Sequence, residues 1–177
     1  MRNDGDVIID VVIEIPARTR NKYEYDPAAR MLRLDRQLPA TMAYPADYGF
    51  IPETLAEDGD PIDAMVLIDE PAVPGAVVAA AVLGVLRVRD EHGPDPKIIC
   101  VLAEQAAREA LREVSDLSER TRAELEHFFA VYKDLDEGRW ADTDGFGPQS
   151  EALLEVERGR DRWAERNRSP TAGGGGR

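Results

Sequence analysis

The segment EDGDPIDAM places Asp58, Asp60 and Asp63 within six residues, with Gly59 and Pro61 between them. Carboxylates this close repel one another. The segment is either a solvated turn, for which Asp, Gly and Pro are the ordinary residues, or a site that collects cations. A calcium loop of the helix–loop–helix kind begins in the same way, but the register fails: its third ligand would fall on Ile62, its required glycine on Asp63 and its final glutamate on Asp69. The turn reading weakens because Asp63 directly precedes the apolar run AMVLI, which reads as a core strand. A second acidic group, Asp90, Glu91 and Asp95, brackets another turn, with Lys97 just beyond. Two acidic turns at strand ends of one small barrel can converge on one mouth. Hard divalent cations, magnesium above all, would cancel their repulsion, because such ions prefer oxygen ligands and keep several waters.

Cations and phenols are interleaved with these acids. NKYEYD supplies Lys22 and Glu24, which share one face of a strand because the side-chain period is two. LDRQL supplies Arg36, AYPADYG supplies Tyr44 and Tyr48, and VYKDL supplies Tyr132 and Lys133. Taken singly, each suits a solvated strand face or a core tyrosine with its hydroxyl at the rim. Taken together, they place donors beside a metal-collecting mouth, which suits a dense anion bridged by metals, such as a phosphate compound.

The elements that must position these groups are mainly β over the first hundred residues. VIIDVVIEI, KYEYD, MLRLDR, AMVLI, AVVAAAVLGVLRVRD and KIICVL read as strands, with hairpin and tight-loop signals at PAA and DEHGPDP. Short strands with frequent turns predict a small closed or partly closed barrel. After Leu102 the chain turns helical. AEQAAREALREV has a helix-forming composition. A second helix starts at an N-cap on Ser118, with Leu125, Phe128, Phe129 and Tyr132 on one face. A last helix covers SEALLEVERGRDRWAER, and the tail SPTAGGGGR reads as disordered. The expectation is one α+β, mainly β domain over residues 1–166 with C-terminal flanking helices, followed by a glycine-rich tail at 167–177.

The totals bound the partners. At 177 residues the chain is long enough to bury a real core, and its formal net charge of −13 opposes nucleic acid and anionic membranes. The one cysteine, Cys100, sits in an apolar run, which excludes an internal disulfide and fits a reducing, cytoplasmic setting. No apolar stretch is long enough for a membrane span.

These residues resemble the soluble family I inorganic pyrophosphatases of the bacterial type. That family's signature runs Asp, small or polar, Asp, Pro or Glu, apolar, Asp, apolar, and DGDPIDA satisfies it at every position. IEIPA, NKYEYD, LDR, YPADYGFIPETL, DEHGPDPK and HFFAVYKDL follow the family's order over roughly residues 11–140. The resemblance implies a five-stranded OB-like β-barrel and magnesium-dependent hydrolysis of pyrophosphate to two orthophosphates by a metal-activated water. It makes Asp60 the general base and Asp58, Asp63, Asp90 and Asp95 the metal ligands. Lys22, Arg36, Tyr48, Lys97, Tyr132 and Lys133 become phosphate donors, with Glu14, Glu24, Tyr44 and Glu91 in support around them. It further implies manganese or zinc as substitute metals, calcium as an inhibitor, and a homo-oligomer, usually a hexamer. The alternative is an OB-like module that binds metal or polyphosphate without turnover. Departures cluster near the C-terminus, where Arg139 and Asp142 each replace a lysine of many members and Phe146 replaces a tryptophan. His92 reads as a solvated turn residue, and His127 faces either another subunit or water.

Overall fold

The computed structural model describes residues 7–168. Its strands are β1 (Ile8–Ile15), β2 (Asn21–Asp26), β3 (Met31–Gln37), β4 (Asp47–Phe50), β5 (Asp63–Leu67), β6 (Val77–Asp90), β7 (Gly93–Pro94), β8 (Lys97–Leu102) and β9 (Ala141–Pro148). The helices are α1 (Ala103–Glu109), α2 (Glu119–Val131) and α3 (Gln149–Arg168).

β1 shows why the barrel forms. Ile9, Val11 and Ile13 alternate into one core while Ile8 and Asp10 face out, and a register irregularity after Ile13 turns Ile15 into a second core. β1 pairs with β4, β4 with β5, β5 with β8 and β8 with β6, and β6 returns to pair with β1. Five strands thus close on themselves, which removes their open edges. All pairings are antiparallel except β5 with β8. Closure requires β1 and β4 to come very near each other at Gly49, where a Cβ would lie 1.9 Å from the Val12 carbonyl oxygen. β6, at fourteen residues, outlasts the barrel, and its far half pairs with β9 and the short β7. Irregular register at Val82/Gly84 and Leu86/Val88 lets it bend between these partners. β2 and β3 stand apart as a two-stranded arm.

Neighbouring residues of β5 and β8 face opposite cores. Met65, Ile99 and Val101 join a cluster covered by Leu125, Phe128 and Phe129 of α2. Ala64, Val66, Ile98 and Cys100 join a second cluster covered by Ala152 and Val156 of α3. Ser118 caps α2 as its sequence predicts: Oγ accepts the Thr121 N–H at 3.0 Å. The expected face of that helix, with Tyr132 just beyond it, is buried.

Three elements differ from the sequence reading. α1 stops at Glu109 because Ala110 turns left-handed (φ 55°), and the chain then drops Val114 into the core through a 3-10 turn. β9 was not expected. α3 continues through Asn167 and Arg168, two residues into the expected tail; the remainder of that tail lies outside the described residues. No helix among the described residues is long and apolar enough to cross a membrane.

Candidate functional site

The parallel register of β5 and β8, with Ala64 opposite Ile98, sets the first residues of the two strands side by side. These are Asp63 and Lys97. Lys97 is buried, and its Nζ donates to Asp63 Oδ2 and Asp95 Oδ1, both at 2.5 Å. Tyr48, from β4, donates its hydroxyl to the same Asp63 oxygen at 2.5 Å. The Lys97 ammonium also lies 5.8 Å from the Tyr48 ring centre and 5.9 Å from that of Phe129. Burial alone would lower the Lys97 pKa, but Asp63 and Asp95 outweigh it and hold the ammonium charged well above the usual lysine range. Asp95 is pushed up by burial and by its neighbour Asp63, against the pull of Lys97.

A second cation–carboxylate group adjoins the first. Lys133, just past α2, donates to Asp90 Oδ2 at 2.7 Å and to Glu91 Oε2 at 3.1 Å. Burial works to raise both carboxyls, yet backbone N–H groups together with the hydrogen bonds and charge of Lys133 leave each below its ordinary value. Tyr132 packs against Phe128 and Phe129 and lies within electrostatic range of Lys97, Lys133, Asp95 and Asp63. The Tyr44 ring packs tilted against that of Tyr48, 5.3 Å between centroids, and burial raises both phenols.

The arm adds the remaining groups. Lys22 pairs with Glu24 on the same strand face, as the period of two predicts. Glu14, near the end of β1, accepts the Tyr25 N–H at 2.7 Å, and burial, with Asp63 and Glu24 nearby, lifts its carboxyl to about 7. Asp58 and Asp60 stay on an exposed loop, where Asp58 Oδ1 accepts the Asp60 N–H at 3.0 Å. Burial, then Asp58 and Asp63, raise the Asp60 carboxyl. α3 braces this loop from behind. Gly159 accepts the Leu55 N–H at 2.9 Å, and Arg162 Nε donates to the Leu55 carbonyl at 2.6 Å. A Cβ at Gly159 would meet Ile62 Cδ1 at 2.3 Å and the Leu55 carbonyl at 3.1 Å, so a side chain there must displace Ile62 or move the helix.

All fifteen residues singled out in the sequence therefore fall into one connected patch at the barrel mouth. Two acids that sequence reading missed belong to it. Asp35 lies 3.3 Å from Lys22. It is the extra residue of a bulge, since Lys22 pairs with Arg36 and Tyr23 with Leu34, and a strict alternation cannot anticipate that. Asp136 lies 2.9 Å from Arg36 Nη2, across a gap of a hundred residues that no local pattern bridges. His92 is exposed, and so is His127.

The donor set fits hard cations. Its ligands are carboxylates, and the one cysteine is buried in the core with its thiol pushed far up by burial. Among the described residues no three acidic, His or Cys side chains already surround one point. Instead a lysine ammonium occupies the cationic position between Asp63 and Asp95, and another sits between Asp90 and Glu91.

Comparison with known proteins bears on this arrangement. Residues 11–164 match the family model described as inorganic pyrophosphatase. The inorganic pyrophosphatase of Streptomyces coelicolor is 45% identical over 156 residues, covering 88% of this chain and 96% of that protein. The crystal structure of the Thermus thermophilus inorganic pyrophosphatase superposes with a TM-score of 0.86 at 42% identity, covering 92% of this chain and 95% of the other. The structure of the Coxiella burnetii protein gives 0.85 at 38% identity, covering 92% and 99%.

Proposed function

The chain belongs to the inorganic pyrophosphatase family, whose reaction is the hydrolysis of pyrophosphate, and on that premise we propose a magnesium-dependent hydrolysis at the barrel mouth with Asp60 as general base. The observation that carries this reading is the Asp63–Lys97–Asp95 clamp beside Lys133–Asp90, which gathers paired acids and cations at one strand-end surface. Asp58, Asp63, Asp90 and Asp95 would hold the magnesium ions, with Glu14, Glu24 and Glu91 behind them. Bound there, the ions supply positive charge to the phosphoryl oxygens and acidify a water; manganese or zinc would substitute, and calcium would inhibit.

The chain's own groups then do the following. Lys22, Arg36, Lys97, Lys133 and the Tyr48 and Tyr132 hydroxyls bind and orient the two phosphoryl groups, which is most of what phosphoryl transfer asks of a protein. Asp60 accepts a proton from the attacking water as its oxygen bonds to phosphorus and the bridging P–O bond breaks. That proton ends on the orthophosphate products. Burial, with Asp58 and Asp63 beside it, raises the Asp60 carboxyl, which makes it a better base than an ordinary aspartate. Tyr44 supports Tyr48 through ring contact. We further propose one domain over residues 1–166, acting in the cytoplasm and assembling as a homo-hexamer that covers exposed apolar side chains such as Ile8, Leu34 and Val77.

The test is phosphate release from pyrophosphate by the purified protein in magnesium, in calcium and in chelator. Release in magnesium alone, reduced about 10²–10⁴-fold by Asp60→Asn, is the expected result. A folded protein that binds pyrophosphate but releases nothing under any metal would make it a binding module instead.

A further inference from the structure

Arg36 faces an acid of its own chain. Its Nη2 lies 2.9 Å from Asp136 Oδ2, and about a quarter of each side chain is exposed. Asp136 is held in place by the turns that follow α2: its N–H reaches the Lys133 carbonyl at 2.9 Å, and its own carbonyl accepts from Arg139 at 3.2 Å. The position of its carboxylate is therefore tied to that of Lys133. The contact with Arg36 is Coulombic rather than a directed hydrogen bond. Asp136 Oδ2 is shielded from water, yet no donor among the described residues is aligned with it. A guanidinium binds most strongly when two N–H groups point at two oxygens, and this contact does not use that geometry.

We propose that Asp136 is an internal competitor for Arg36, setting how tightly, and for which anions, the phosphate side of the site binds. This rests on the reading of Arg36 as a phosphate donor. An incoming anion must replace the Asp136 carboxylate at the guanidinium. A phosphate dianion offers two oxygens at the right spacing and more charge than the carboxylate, so the exchange favours it. A singly charged or spherical anion gains little by the exchange and is left out. Asp136 is thus a specificity-determining residue that acts through Arg36 and need not touch the reacting atoms.

The experiment is equilibrium binding of inorganic phosphate, measured by calorimetry in magnesium buffer, for the wild type, Asp136→Asn, Asp136→Glu and the pair Arg36→Gln with and without Asp136→Asn. Asp136→Asn should bind phosphate about 3- to 10-fold more tightly, the range expected for releasing a partly buried ion pair. It should also lose discrimination against nitrate, and its KM for pyrophosphate should fall by the same factor at unchanged kcat, because the competitor opposes ground state and transition state alike. Asp136→Glu should stay near the wild type. The gain should vanish when Arg36 is already Gln. Unchanged or weaker phosphate binding by a folded Asp136→Asn protein overturns the proposal, as does a gain that persists without Arg36. Because phosphate binding is read without turnover, a wild type that releases no phosphate from pyrophosphate would count against the pyrophosphatase reading separately.

Discussion

Replacing Lys97 by Met tests whether the clamp is what holds the mouth together. Met keeps most of the aliphatic stem that packs between Tyr48 and Phe129 and removes only the charge. The two carboxylate oxygens that shared the ammonium then face each other at no more than twice the 2.5 Å contact distance. At an effective dielectric near 20, two unit charges at that separation repel by about 3 kcal/mol. Removing one partner of a buried ion pair costs about 3–5 kcal/mol in general, so the two arguments agree. For a chain of this size the loss lowers Tm by roughly 6–20 °C. Calorimetry in chelator should show this fall, and magnesium should recover part of it by supplying the missing charge. A K97M protein as stable as the wild type in chelator would refute the reasoning, since the acids would then be insulated from each other. A loss that magnesium leaves untouched would show that Asp63 and Asp95 do not hold the ion.

Three further outcomes follow from other parts of the molecule. Gly159→Ala should push Ile62 and with it the loop of Asp58 and Asp60, costing about 1–3 kcal/mol; it should weaken magnesium binding in titration calorimetry, and unchanged affinity would mean that α3 does not brace the loop. Glu151, held below its ordinary carboxyl value by its hydrogen bonds with Arg87, stabilises the fold at pH above 4.5, and that stability is lost as pH falls through the depressed value. Both groups are two-fifths exposed, so the effect is under about 1 kcal/mol, and Glu151→Gln should flatten that much of the acid-unfolding curve. Cys100 is buried and its thiol is raised by burial, so a thiol reagent should leave the native protein unmodified and label one site only after denaturation.

Much of this was legible from local patterns. β1, β6 and β8 advertise themselves by β-branched residues, and the buried face of α2 by its helical spacing. The acids at Asp58, Asp60, Asp63, Asp90, Glu91 and Asp95 were legible because they sit at strand ends or in turns beside apolar segments. What stayed hidden depends on distant partners. The stretch ADTDGFGP is polar and glycine-rich, and it becomes β9 only because β6 extends past the barrel and offers it an edge. AEQAAREALREV has the composition of a longer helix, but burying Val114 requires the chain to turn at Ala110, and packing outweighs propensity. Asp136 looks like one more acid in a surface loop until the arm brings Arg36 against it.

The parallel pairing of β5 with β8 also bears on how the protein is made. Asp63 and Lys97 stand side by side, yet the whole of β6 and β7 is synthesised between them. A nascent chain that has left the ribosome through Asp63 carries its crowded aspartates before Lys97 and Lys133 exist to offset them. The mouth therefore assembles late, after the slow step of closing long-range strand pairs. Partly folded chains would expose acids without the paired geometry, and the first appearance of turnover during refolding would report barrel closure itself.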